Sequence, residues 1–272
     1  MTQPTQYLEL DGATIAYQRT GTGNRDTLVL SHSLFFNRRM FDGLVAELAD
    51  EFDIVAYDHR GHGESSTAHD QRYDMDAHYN DAAALIEALA SGPVHFAGNS
   101  MGGFVALRIA TRRPDLVKTV TILGSSGEAQ SDRPKFAQLL EQMKIDGGAS
   151  IGDILSNIFF GQSSLARESF ATTLAQWRSH LEALTPFAAT LGAGVVHRTG
   201  INSELRHAMT PILAIAGAED PVYPAPQSRA VAEAAPDGSF VLVEGAGHSV
   251  ALEQPEAAAA AIRAFIAKRS AI

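Results

Sequence analysis

The sequence predicts an α/β protein: a mostly parallel central sheet flanked by helices, with a helical insertion late in the sheet. Three observations carry this. Short apolar runs alternate with helical patterns along most of the chain, the runs are too uniformly apolar for strands with one wet face, and the alternation lapses from about 128 to 206.

Tyr7 to Leu10 and Ala13 to Gln18, joined by Asp11-Gly12, read as an opening hairpin. The runs TLVLS (27–31), DIVAY (53–57), VHFA (94–97), TVTIL (119–123), ILAIA (212–216) and SFVLV (239–243) suit short strands buried on both faces. Helical patterns cover Met40 to Ala49, Met75 to Ala90, Met101 to Arg112, Pro226 to Ala235 and Pro255 to Lys268, several ending near Gly or Pro. From Glu128 to Arg206, helical pieces at Pro134 to Lys144, Ile151 to Phe159, Leu165 to Leu184 and Pro186 to Leu191 follow one another without a strand. The expected organisation is a sheet core of 1–127 and 207–272, with 128–206 as a helical cap over the sheet edge. Ligands of such sheets sit beyond the carboxyl ends of the strands, so motifs placed there matter most.

A chain of 272 residues can bury a substantial core. Its formal charge of -10 argues against nucleic acid, which needs a basic footprint. With no cysteine there is no disulfide, thiolate metal site or cysteine nucleophile. The start MTQPTQYLELDG lacks the basic and apolar regions of a signal peptide, and no apolar run reaches the ~18 residues that span a bilayer. A cytoplasmic protein with no membrane partner is expected.

Gly98-Asn99-Ser100-Met101-Gly102 lies between a strand and a helix, the setting of a G-x-S-x-G nucleophile elbow. Glycines are needed there because neighbouring backbones pass too close for side chains while the serine occupies a strained turn. The Met101 N–H, at the positive end of the helix, can donate to a developing oxyanion. On the motif alone, Ser100 can also be read as a helix cap. A nucleophilic serine requires a base oriented by a third group. His248 follows the last strand, Asp220 follows the preceding one, and the order Ser100, Asp220, His248 suits convergence at one sheet edge.

Five motifs in order resemble the α/β-hydrolase superfamily over nearly the whole chain: SHSLFFNRRMFD (31–42), YDHRGHGES (57–65), GNSMGG (98–103), AGAEDPVYP (216–224) and GAGHSVALEQPE (245–256). The resemblance implies the α/β-hydrolase fold. Within the superfamily the chain looks most like the 3-oxoadipate enol-lactonase and carboxylesterase group. Its elbow also looks like that of carbon–carbon bond hydrolases of ring-fission products, which carry a Gly-rich segment where this chain has Ser31-His32-Ser33-Leu34.

The expectation is therefore a serine hydrolase that cleaves an ester or lactone of a small, partly apolar molecule, without a cofactor. Asp220, His248 and Ser100 would be its triad. The second oxyanion donor would be the Leu34 N–H, with Ser33 standing where the family has glycine. Glu128 is a rival acid, because some relatives take theirs from the sixth strand; the Gly-x-x-Asp-x-x-x-Pro pattern favours Asp220. His59 and His62 belong to a family turn and are not expected to bind metal. Phe159, Phe160, Phe187, Leu191 and Phe36 are candidate pocket or core residues, while Phe35 and Trp177 are expected to meet substrate. Other readings of the same resemblance are a carbon–carbon hydrolase, a cofactor-free perhydrolase and a non-catalytic small-molecule sensor.

Overall fold

A computed structural model describes residues 4–21, 25–130 and 132–270. Eight strands form one sheet: β1 (Gln6–Leu10), β2 (Ala13–Thr20), β3 (Thr27–Ser31), β4 (Asp53–Tyr57), β5 (Val94–Asn99), β6 (Val117–Leu123), β7 (Ile212–Gly217) and β8 (Gly238–Val243). Their order is β1-β2-β4-β3-β5-β6-β7-β8. The opening hairpin is antiparallel, and β2 joins β4 antiparallel; every pairing from β4 to β8 is parallel.

Alternation within the strands sorts side chains into two cores. Leu28, Leu30, Ile54 and Ala56 face α1 (Asp42–Leu48), while Val29, Val55, Tyr57 and Phe96 face α2 (Met75–Leu89) and α3 (Met101–Arg112). Between β6 and β7 run α4 (Arg133–Asp146), α5 (Gly152–Phe159), α6 (Gln162–Ala166), α7 (Ala171–Glu182), α8 (Ala188–Val196) and α9 (Asn202–Leu205). Helix α10 (Ala225–Ala234) joins the α2–α3 face, and α11 (Val250–Glu253) and α12 (Pro255–Ser270) join the α1 face.

Four expectations need correction. The run 239–243 is an edge strand with Leu242 exposed, because among the described residues no strand pairs with β8 on the side away from β7. The helix predicted from Met40 begins as a 3-10 turn at Arg38–Phe41, capped by the Asn37 carboxamide, which accepts the Arg39 N–H at 3.0 Å. The single helix predicted over Leu165 to Leu184 is broken. Arg167 leaves helical geometry and sends its guanidinium to the Glu253 carbonyl at 2.6 Å. The piece predicted to stop at Leu191 runs on to Val196, because Gly194 lets the helix pass the Tyr73 carbonyl where any Cβ would collide.

Candidate active site

Ser100 sits between β5 and α3 with φ 52° and ψ -110°, a conformation L-residues avoid. The surroundings hold it there. A Cβ at Gly98 would meet the Gly102 carbonyl, and one at Gly102 would meet the Ser31 carbonyl, so both glycines are required by close backbone approach. The Ser100 N–H donates to the Leu123 carbonyl at 2.9 Å. Its hydroxyl makes no capping bond to the helix; it lies 2.8 Å from His248 Nε2.

His248, on the loop between β8 and α11, is 1% exposed, and its Nδ1 lies 3.0 Å from Asp220 Oδ2. Asp220 Oδ1 accepts the N–H groups of Val222 at 2.8 Å and Tyr223 at 3.0 Å, which fixes the carboxylate plane. A proton on Nδ1, donated to Asp220, leaves Nε2 free to accept from the serine hydroxyl. The structure thus brings Ser100, His248 and Asp220 together. Glu128 is exposed and makes no bond to His248 among the described residues. Neighbouring Glu219 turns away, accepting the Ser163 N–H at 2.8 Å and the Ser163 hydroxyl.

Leu34 and Met101 flank the same serine. The Gly102 N–H donates to the His32 carbonyl at 3.1 Å, pinning the loop after β3 to the start of α3. Among the described residues neither the Leu34 nor the Met101 N–H has a hydrogen-bond partner. Ser33 faces away from the reacting side: its hydroxyl accepts the Asn99 amide at 2.9 Å, and the same amide donates to the His248 carbonyl at 3.0 Å. His32 braces its loop, with Nδ1 donating to the Ser33 carbonyl at 2.7 Å and Nε2 accepting the His59 N–H at 2.9 Å.

A cavity of about 40 Å³ lies over Ser100, and its wall includes Leu34, Phe35, Phe159, Val195, Tyr223 and His248. Phe35 lines it, in a left-handed conformation (φ 68°) with its carbonyl accepting from His180 Nε2 at 2.9 Å. Trp177 does not reach it. Helix α5 packs between α7 and the cavity, so the indole lies on the outer side of Phe36, with ring centroids 4.8 Å apart. Phe36 and Phe160 are core, and Phe187 and Leu191 pack with Tyr73.

Glu253 escaped the sequence reading, although it stands five residues after His248. It is buried and accepts the N–H groups of Gly247 and Ser249 at 3.0 Å each, gripping the loop on both sides of His248, and that of Gly161 at 2.8 Å. Burial pushes its carboxyl up, against the pull of those three amides.

The turn YDHRGHGES is built from ion pairs. Asp58 accepts the Arg38 and Glu64 N–H groups at 2.7 and 2.8 Å, and Arg60 grips Asp81 at 2.6 and 2.7 Å. His59 and His62 close on His32 and His78 in a buried cluster, with neighbouring ring centroids 4.5 to 6.3 Å apart. Burial pushes His32 and His62 down to about 3, and His59 and His78 well below the ordinary 6.5. No group of three or more His, Asp or Glu among the described residues has metal-binding geometry. Nor is any described helix long and apolar enough to cross a membrane.

Comparison with known proteins agrees with this architecture. A family model described as alpha/beta hydrolase fold matches residues 26–255. The Acinetobacter baylyi protein named 3-oxoadipate enol-lactonase 2 is 28% identical over 260 residues, covering 92% of each chain. A Pseudomonas syringae protein named "Putative carbamate hydrolase RutD" is 26% identical over 242 residues, 88% of this chain and 93% of that one. The solved structure of a thermophilic esterase from Thermogutta terrifontis superposes with a TM-score of 0.87 at 25% identity, covering 97% of this chain and 99% of its own. With a strand-turn-helix serine at the centre of an eight-stranded sheet and a match over most of its length, the chain belongs to the alpha/beta hydrolase fold family.

Proposed function

We propose that the protein is a serine hydrolase that cleaves a carboxylic ester or lactone of a small, partly apolar molecule. The 2.8 Å contact between Ser100 Oγ and His248 Nε2, on the wall of an apolar cavity, carries this reading. His248 takes the hydroxyl proton as Ser100 Oγ attacks the carbonyl carbon, and Asp220 stabilises the imidazolium. The unpartnered N–H groups of Leu34 and Met101 receive the oxyanion, each donor contributing about 10²–10³ in turnover. Collapse breaks the bond to the alcohol oxygen, which leaves with the proton from His248. Water then attacks the acyl-enzyme, again losing its proton to His248, and the acid leaves as Ser100 recovers its hydrogen. The helices inserted at 128–206 act as a cap that keeps bulk water from this cavity.

A fluorophosphonate probe together with a panel of aryl esters, small lactones and ring-fission products tests the proposal. Labelling of Ser100 and turnover of esters or lactones, both lost in Ser100→Ala, are expected. Cleavage confined to the ring-fission products would make the protein a carbon–carbon hydrolase instead. No turnover on any member would overturn the enzymatic reading.

A further inference from the structure

We infer that the substrate is an uncharged ester with a short acyl group, its larger apolar alcohol lying in a second pocket beyond the cavity. This rests on the serine-hydrolase reading above and names the substrate class of the same site. The cavity over Ser100 holds about 40 Å³, which suits a short acyl chain better than a long one. Gln130, Phe136, Leu139, Ile158 and Val222 line both this cavity and an outer pocket of about 470 Å³, and in the proposal the substrate crosses between the two through this throat.

The order of events assigns the two halves. In acyl transfer the alcohol leaves first and water must then reach the acyl-enzyme. An alcohol held in the small inner cavity would be trapped behind the acyl group; one held in the outer pocket departs freely, and water follows the same route. The acyl group therefore occupies the inner cavity.

Charge decides the rest. Among the described residues no lysine, arginine or carboxylate lines the inner cavity, and its polar wall besides Ser100, His248 and Tyr223 is the Gln130 carboxamide. The buried cation close behind is Arg198. Its Nη1 donates to Gln130 Oε1 at 2.8 Å and to the Val195 carbonyl at 3.1 Å, its Nε donates to the Glu128 carbonyl at 3.1 Å, and its guanidinium stacks 4.0 Å from the Phe104 ring centre. Gln130 Oε1 also accepts the Tyr223 hydroxyl at 3.0 Å, so the guanidinium is held behind a carboxamide oxygen that already has two donors. At the outer pocket Asp132 and Lys135 supply one charge of each sign. A carboxylate on the acyl chain would thus be desolvated without a partner, and the net charge of -10 opposes its approach.

The test compares p-nitrophenyl acetate, butyrate and octanoate, and a pair of equal length, p-nitrophenyl pentanoate against mono-p-nitrophenyl glutarate, with fluorophosphonate labelling of Ser100 in parallel. Acetate and butyrate are expected to exceed octanoate in kcat/KM by roughly 10-fold, and pentanoate to exceed glutarate by roughly 10²-fold. Leu155→Ala, which enlarges the inner cavity, and the half-buried throat variant Ile158→Ala should each raise octanoate relative to acetate several-fold; the second stands if the first does not fold. Preference for glutarate, particularly one abolished by Arg198→Met, overturns the inference while labelled Ser100 keeps the hydrolase reading. Equal or better turnover of octanoate does the same. Absence of both labelling and turnover overturns the two together.

Discussion

Two buried histidine sites lie along the carboxyl edge of one sheet, and their surroundings differ in kind. His248 meets a carboxylate on one nitrogen and a serine hydroxyl on the other, on the wall of a cavity. The cluster of His32, His59, His62 and His78 is buried, and among the described residues no carboxylate bonds to any of its rings. His59 Nδ1, His62 Nε2 and both nitrogens of His78 lack a well-formed hydrogen bond among the described residues. A buried imidazole becomes a working base through an oriented partner and access to a substrate; burial alone only keeps it neutral.

The largest break in this comparison is at His248 and Ser100. Ser100→Ala and His248→Ala should each lower kcat on a neutral aryl ester by roughly 10⁴-fold or more, measured on protein of unchanged circular dichroism. His78→Leu, in the other cluster, should leave kcat within about twofold.

Glu253 sharpens the contrast by testing orientation without touching the reacting atoms. Glu253→Gln loses at least one acceptor for the amides flanking His248 and should lower kcat by about 10–10²-fold with little change in KM. A variant that lost only thermal stability, with kcat per labelled Ser100 unaltered, would reduce Glu253 to a structural residue.

The buried cluster should show itself in acid. Its four histidines have folded pKa values below the ordinary 6.5 of the unfolded chain. Their contribution to stability is therefore intact above pH 6.5 and is lost as pH falls from 6.5 toward 3, where the unfolded chain binds protons the folded one refuses. Each such proton costs about 1.4 kcal/mol per pH unit, so four together approach roughly 5 kcal/mol per unit. Against a typical total of about 5–15 kcal/mol, unfolding is expected between about pH 4 and 5.5. Urea titrations from pH 7 to 4 measure the slope; a flat profile would mean the cluster accepts protons while folded.

The smallest effect concerns a single member. His78→Leu removes two poorly satisfied buried nitrogens and should raise stability at pH 7 by about 1 kcal/mol, while reducing proton uptake on acid unfolding by one.

These contrasts also explain what could be read from the chain before folding. The convergence of Ser100, Asp220 and His248 was legible because each follows its own strand, and parallel strands deliver such turns to one edge. The core strands were legible because uniform burial leaves an uninterrupted apolar run. The position of Trp177 away from the cavity over Ser100 was not legible because it depends on α5 packing inside α7, and the break at Arg167 depends on a carbonyl 86 residues later. Glu253 likewise acts through backbone amides, which leave no trace in residue type. The polarity of the cavity is a property of which faces of α4, α5 and α8 converge, and the intervals between their apolar residues do not reveal that.

The most direct test of the central claim is to catch the acyl group. After rapid mixing with p-nitrophenyl acetate and an acid quench, intact-mass and peptide mass spectrometry should find one acetyl group on Ser100 in the wild-type chain and in His78→Leu, and none in Ser100→Ala. Ester turnover with no acetyl on Ser100, or with the same adduct on another residue, would contradict the account.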